Sequence, residues 1–163
     1  MTKQEKLDLH FMSLALITSY NLGKDPASKA GCVIVSPDGR SLCTGYNGFP
    51  PGVEETPERW ARPKKYEFVL HSETNALLNA SFNTEGCAAY VSWQPCTNCL
   101  AQLVGARIKH LVYYGFHPRY PDGNWPQTNQ ETWNIIAEQL TIAVIPKNNF
   151  LESLRALYPK LEP

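Results

Sequence analysis

Apolar side chains recur at three- and four-residue intervals near the start of the chain, at Leu7, Phe11, Leu14 and Ile17, which predicts a helix over about 4–20 with that stripe against a sheet. Lys24-Asp25-Pro26 ends it. The runs GCVIV (31–35) and SLCTGYN (41–47) are short and β-rich, and Ser36-Pro37-Asp38-Gly39 joins them as a turn, proline fixing φ and glycine tolerating positive φ. An antiparallel hairpin is expected. From Gly48 to Tyr66 the chain reads GFPPGVEETPERWARPKKY, whose prolines cannot serve interior hydrogen-bond ladders, so this stretch reads as an irregular excursion. Loops of this length in a compact domain are usually functional or mobile. Thereafter the pattern alternates: a helix from about Leu70 to Ala80, a strand at CAAYVSW (87–93), a helix opening near Cys96 and a strand at IKHLVYY (108–114). A helix near Gln130 to Leu140, a strand at TIAVI (141–145) and a closing helix from about Asn148 complete it. A hairpin followed by β-α-β-α-β predicts an α/β protein, a three-layer α/β/α sandwich around a mixed five-stranded sheet.

With 163 residues and 43% hydrophobic content, the chain can bury one substantial core, so a single domain over 1–163 is expected. Fifteen basic residues balance fifteen acidic ones, which argues against the basic footprint that nucleic acids select and favours small solutes as partners. The apolar N-terminal stretch is interrupted by His10, Ser13, Thr18 and Ser19, and no small-residue cleavage site follows it. Neither a signal peptide nor a membrane span is expected. The five cysteines are odd in number, and Cys32, Cys43 and Cys87 lie in apolar runs as core thiols, so a reducing, cytoplasmic setting is expected.

The remaining two cysteines stand in WQPCTNC (93–99), where Cys96 and Cys99 have the spacing to grip one metal ion or to form a redox disulfide. Alone, such a pair is equally a thiol pair or half of a structural zinc knuckle. Upstream, His71-Ser72-Glu73 opens the helix before the CAAYVSW strand; an isolated H-x-E carries little weight, because the helix dipole favours glutamate there anyway. Together, two helices starting at one end of a sheet bring His71, Cys96 and Cys99 to one Zn2+ ion per chain and leave a fourth position for water, the layout of a catalytic site. Glu73 is then placed to move protons between water and substrate. His10, His110 and His117 are isolated, each read as a surface or satisfied core histidine.

With Pro95 before Cys96, these residues form the H-x-E…P-C-x-x-C pattern of zinc-dependent nucleobase deaminases. Over about Lys24 to Pro146 the chain resembles the cytidine deaminase superfamily, and TGYNGFP together with Asn75 in His71-Ser72-Glu73-Thr74-Asn75-Ala76 resembles its deoxycytidylate deaminase branch. The resemblance implies hydrolysis of dCMP to dUMP and ammonia, supplying thymidylate synthesis. It implies His71, Cys96 and Cys99 as zinc ligands and Glu73 as acid/base. Asn47 is expected near the sugar hydroxyl, its bland alternative being a turn former beside Gly48. Ser28, Lys29, Arg119 and Tyr120 are expected toward the nucleotide, the alternative for Arg119 being a solvated surface residue. The resemblance further implies a homo-oligomer, with a hexamer favoured, activation by dCTP and inhibition by dTTP. Gly45, Tyr46 and Gly48 would then line an effector site, with Mg2+ accompanying a triphosphate. Ser72 stands where alanine is common, a small change expected to be tolerated, and no role is assigned to Gln94. Deamination of another cytosine nucleoside, nucleotide or nucleic acid is the alternative activity, and a non-enzymatic structural zinc domain is a further reading that Glu73 opposes.

Overall fold

The structure, a computed structural model, describes residues 1–117, 119–123, 125–146, 150, 152–153 and 155–156. In chain order the elements are α1 (Lys3–Leu22), β1 (Gly31–Val35), β2 (Leu42–Tyr46), α2 (Pro57–Trp60), α3 (Lys65–Phe68), α4 (Ser72–Asn79), β3 (Ala88–Val91), α5 (Thr97–Gly105), β4 (His110–Tyr113), α6 (Gln130–Ala137) and β5 (Thr141–Val144). The five strands form one mixed sheet in the order β2-β1-β3-β4-β5, with β1 antiparallel to both neighbours and β3, β4 and β5 parallel. Its two faces are covered, giving the expected α/β/α layering.

Strand alternation distributes the core between those faces. Cys32 and Ile34 of β1, Ala89 and Val91 of β3 and Leu111 of β4 pack with Ala76 of α4, Leu100 and Leu103 of α5 and Trp133 of α6. Val33, Val35, Tyr90 and Val112 point the other way and pack with Leu9, Phe11, Met12 and Ala15 of α1. Leu100 and Leu103 are fully buried, each contributing about 1.5–3 kcal/mol of apolar burial.

The buried stripe of α1 differs from the expected one. Met12 and Ala15 are fully enclosed, whereas Leu7 is 37% and Ile17 55% exposed. The cause is close approach: a Cβ on Gly31 would stand 2.2 Å from the Ala15 carbonyl oxygen and 2.7 Å from the Ser19 nitrogen. Only small side chains fit where the helix lies on the strand, so Ala15, Thr18 and Ser19 face inward. The 36–41 turn follows expectation, with Gly39 at φ +72°. The proline-rich excursion is less irregular than its composition implies, because it holds the single-turn helices α2 and α3; Thr56 caps the first and Pro57 opens it. The closing helix expected from about 148 falls largely outside the described residues, although Phe150 is buried in the α1-side core. No helix among the described residues is long and apolar enough to cross a membrane.

Candidate metal centre and substrate cleft

Two helix amino termini meet at the carboxyl end of β3. His71 is the N-cap of α4 and Cys96 the N-cap of α5, both with extended backbone, and the Cys96 sulfur accepts a bond from the Cys99 N–H at 3.4 Å. Each is held from behind. Asn75 Nδ2 donates to the Tyr46 carbonyl at 2.6 Å, Asn79 Nδ2 to the Thr44 carbonyl at 3.0 Å and the Cys43 thiol to the Ala76 carbonyl at 3.2 Å, lacing α4 to β2. Thr74 Oγ1 donates to Gln102 Oε1 at 2.8 Å, joining α4 to α5. The Trp133 indole of α6 donates to the Pro95 carbonyl at 2.9 Å and so props the turn that carries Cys96.

The His71 Nδ1 atom stands 3.6 Å from Cys96 Sγ and 3.3 Å from Cys99 Sγ, and the three donors lie within 4.8 Å of one another. A nitrogen at about 2.0 Å and a sulfur at about 2.3 Å from one tetrahedral ion are separated by about 3.5 Å, so this donor set fits Zn2+. The hydrogen bond shared between the two thiol side chains holds the Cys96 thiol down to about 4, and the same side-chain bond, with burial, pushes the Cys99 thiol up. The pair favours ionisation of Cys96 before Cys99, and a bound cation would hold both sulfurs as thiolates. Burial opposes charge on His71, but Cys96 and Glu73 outweigh it and hold its pKa above the ordinary value.

Glu73 is 5% exposed. Burial pushes its carboxyl up, the Cys96 sulfur adding to that and His71 opposing it. Ser72 Oγ donates to Glu73 Oε2 at 2.8 Å and lines the same cleft, so the serine that was expected merely to be tolerated is a direct partner of the carboxylate.

The cleft over this centre encloses about 560 Å³ of empty space, open solvent at its mouth included. Of the residues expected toward a nucleotide, Asn47 and Ser28 line it. Asn47 is buried, and its amide accepts from Ala30 N–H at 2.8 Å and donates to the Ser28 carbonyl at 2.6 Å, which fixes the 28–30 segment at the cleft wall. Lys29 and Arg119 are not brought there. They line a neighbouring groove, with the Lys29 ammonium donating to the Tyr20 carbonyl at 2.8 Å and lying over the Tyr20 ring. Tyr120 stacks on Trp125 instead of lining the cleft.

The proposed effector residues separate likewise. Gly45 lies beneath α4, where a Cβ would meet the Ala76 nitrogen and the Ser72 carbonyl oxygen, each at 2.2 Å. It is buried by packing and has no surface to offer an effector, a correction to the sequence expectation. Tyr46 is half-buried with its carbonyl on Asn75, and Gly48 is bridged to Leu70 through both backbone groups.

Several lining residues were not singled out from sequence. Arg62 and Lys65 come from the proline-rich excursion and are the two cations of the cleft wall. Lys65 is buried against an equally buried Asp25, whose other oxygen accepts from Ala27 N–H at 2.8 Å and Ser28 N–H at 3.2 Å. Arg62 is exposed and reaches Ser28 Oγ at 3.3 Å. Gln94 is buried at the cleft, and His117, read as an isolated histidine, lines it with Trp93 and Trp125. Arg62 and Lys65 on either side of Pro63 in ARPKKY were the available signal; an isolated histidine beyond the last motif gave none.

This architecture is that of the cytidine deaminase-like sandwiches. The sequence profile described as the cytidine and deoxycytidylate deaminase zinc-binding region matches residues 5–115, and the chain belongs to that family. It is 37% identical over 108 residues to a probable deoxycytidylate deaminase of Caenorhabditis elegans, covering 63% of this chain and 54% of that protein. To the deoxycytidylate deaminase of Homo sapiens it is 33% identical over 111 residues, covering 64% of this chain and 62% of the relative. The chain therefore spans between half and two thirds of the length of these relatives. The dCMP deaminase of cyanophage S-TIM5, solved in complex with dCMP and dUMP, shares the fold with a TM-score of 0.66 at 23% identity, covering 89% of this chain and 99% of that one.

Proposed function

We propose that this chain is a zinc-dependent deaminase that hydrolyses dCMP to dUMP and ammonia. The observation that carries the reading is the buried Glu73 carboxyl in one cleft with the His71, Cys96 and Cys99 donors. Zinc held by those donors would supply Lewis-acid activation of a water molecule. The chain's own residues do the rest. Glu73 takes one proton from the attacking water and gives it to the ring nitrogen beside C4 as C4–O forms; it then takes the second proton from the C4 hydroxyl and gives it to the amine, which leaves as ammonia as C4–N breaks and C4=O forms. Ser72 holds Oε2 of that carboxylate, and the buried walls keep the proton from bulk solvent. Asn47, at the cleft wall, retains donor and acceptor capacity for a sugar hydroxyl beyond the bonds it makes to the 28–30 segment.

Arg62 and Ser28 give the cleft a place for a monophosphate. Lys65 contributes less net charge, since Asp25 neutralises it. The chain's balanced charge supports a free nucleotide over a polynucleotide, whose affinity rests largely on phosphate contacts. Ammonia release from dCMP, deoxycytidine and a single-stranded oligonucleotide tests this, and dCMP is expected to have the highest kcat/KM. Arg62→Ala should raise KM for dCMP by about 10-fold, the worth of one charge-assisted contact, and leave deoxycytidine turnover unchanged. Preference for the oligonucleotide would overturn the reading.

The finer reading is a cytoplasmic homo-oligomer, a hexamer, that supplies dUMP for thymidylate synthesis and is activated by dCTP and inhibited by dTTP with Mg2+ on the triphosphate. With Gly45 and Gly48 both buried, Tyr46 is the remaining candidate to meet an effector. Sigmoidal dependence on dCMP that dCTP abolishes is the expected result; hyperbolic kinetics indifferent to both triphosphates would sink it.

A further inference from the structure

One polar side chain of the cleft takes no part in the protein's internal bonding. Gln94 is 7% exposed and lines the cleft beside Trp93 and the turn that carries Cys96. Its backbone is fixed on both sides: its N–H donates to the Gly115 carbonyl at 3.0 Å, and the carbonyl of the following Pro95 accepts from the Trp133 indole at 2.9 Å. Its side-chain amide, by contrast, has no hydrogen-bond partner among the described residues. His110 Nε2 is the sole side-chain N or O atom among them that is both unpartnered and sealed from solvent, so the Gln94 amide opens onto the cleft and not into packed core. Gly123, at φ +80°, keeps room for it, since a Cβ there would stand 3.3 Å from Gln94 Oε1 and 3.0 Å from the Phe116 ring. Side chains this buried are normally hydrogen-bonded, and an unmet amide is destabilising, so its place is where a ligand supplies the partner.

We propose that Gln94 is a specificity-determining residue whose side-chain amide hydrogen-bonds the substituent at C4 of the pyrimidine base; the proposal rests on the deaminase reading above. Gln94 stands two residues before the Cys96 donor, and C4 is the ring carbon that must be brought to the metal, so its substituent is the part of the nucleotide nearest this turn. Asn47, Ser28 and Arg62, assigned to the sugar and phosphate, come from other segments of the wall. The choice of an amide has a chemical reason. Deamination reverses the polarity of the C4 substituent: the amine of cytosine donates, and the carbonyl of uracil accepts. A carboxylate only accepts and an ammonium only donates, whereas an amide does both and can turn about its last bond to face either ring. Both substituents have a second hydrogen or lone pair to spare beside Glu73. Gln94 thus holds substrate and product alike and acts on binding more than on the chemical step, and its unmet amide in the ligand-free chain is a loss of stability retained for function.

The test compares the zinc-loaded full chain with Gln94→Met, which keeps the length of the side chain and removes both hydrogen-bonding groups. Calorimetric titration with dUMP should show binding weakened by about 3- to 10-fold, the worth of one hydrogen bond, and ammonia release should show KM for dCMP raised by a similar factor with kcat within about threefold. Affinity for 2-deoxyribose 5-phosphate, which has no base, should not change. Zinc content should be unaltered, and the ligand-free variant should melt no lower than the wild type, because it gives up no internal bond; a merely structural glutamine would lose stability and leave the affinities alone. In the wild-type chain isotopically labelled at glutamine nitrogen, the Gln94 side-chain amide resonance should shift on addition of dUMP, a reading independent of how well the variant folds. Equal dUMP affinity in a zinc-replete Gln94→Met, an equal loss of affinity for 2-deoxyribose 5-phosphate, or an unmoved amide resonance overturns the proposal. A wild type that binds dUMP in a Gln94-dependent way yet releases no ammonia from dCMP would sink the deaminase reading and leave the Gln94 contact standing. Failure of the wild type both to bind dUMP and to turn over dCMP overturns both.

Discussion

Glu73 and Ser72 are adjacent in sequence and opposed in effect. Burial raises the pKa of the Glu73 carboxyl, while the Ser72 hydroxyl stabilises its ionised form. Glu73→Gln preserves shape and hydrogen bonding, so it should keep both zinc and fold while losing about 10² to 10⁴ in rate, the usual range for removing a general acid/base. Metal analysis and ammonia release on one preparation check both halves, and retained turnover would refute the role. Away from the cleft, Asp8 on α1 accepts from Tyr90 Oη at 3.0 Å and Gln4 Nε2 at 2.8 Å, with His110 Nε2 at 3.8 Å. Burial pushes Asp8 up, but His110, Gln4 and Tyr90 together hold its pKa below the ordinary 3.8. A depressed carboxyl binds fewer protons in the folded chain, so its stabilisation is present above that ordinary value and is lost as pH falls through the folded value. Asp8→Asn should therefore cost about 1 kcal/mol at pH 7. Denaturant titrations below about pH 3.8 should show the gap to the wild type closing; a gap independent of pH would contradict the assignment.

At the level of elements, β2 governs where α4 sits. Gly45 lets the helix backbone touch the strand, and Asn75, Asn79 and Cys43 fasten the contact. Gly45→Ala puts a methyl carbon 2.2 Å from two backbone atoms, so α4 must move as a body. Overpacking of this kind costs about 1–3 kcal/mol. Because His71 and Glu73 ride on α4, activity should fall along with the melting temperature; unaltered values for both would show that the helix relaxes elsewhere. Strand identities were legible where a short β-rich run met a clear turn signal, as at β1, which is buried along its whole length. The inward face of α1 was not, because close approach to Gly31 selects alanine, threonine and serine, and hydropathy alone favours Leu7 and Ile17. Prolines hid α2 for a related reason, since Pro57 at the first helical position starts a turn as readily as it breaks one.

Across the whole molecule, the His71, Cys96 and Cys99 set was readable because each residue type has few other uses at such spacing. The cleft wall was not, since Arg62, Lys65, His117 and Trp125 gather from two irregular segments on either side of the donors in sequence. Metal that binds the folded chain alone should couple the site to global stability. For zinc in 100-fold excess over its Kd this coupling is about 2.7 kcal/mol, so chelation should lower the melting temperature by roughly 5–10 °C. Cys96→Ala should lose the metal and also the N-cap of α5, and it should melt below the chelated wild type. Equal melting temperatures with and without chelator would argue that zinc is not held by these donors.

The hydrogen bond from Trp133 to the Pro95 carbonyl reaches into the matched region from beyond its end at residue 115. A fragment cut at that boundary would carry every donor atom, yet it would lack the indole that props their turn, the Asn129 anchor at Thr97 and the β5 edge of the sheet. The stretch by which the family is recognised is therefore smaller than the packed unit, and anyone dissecting, grafting or permuting this chain should place the cut beyond Phe150, which is buried against α1.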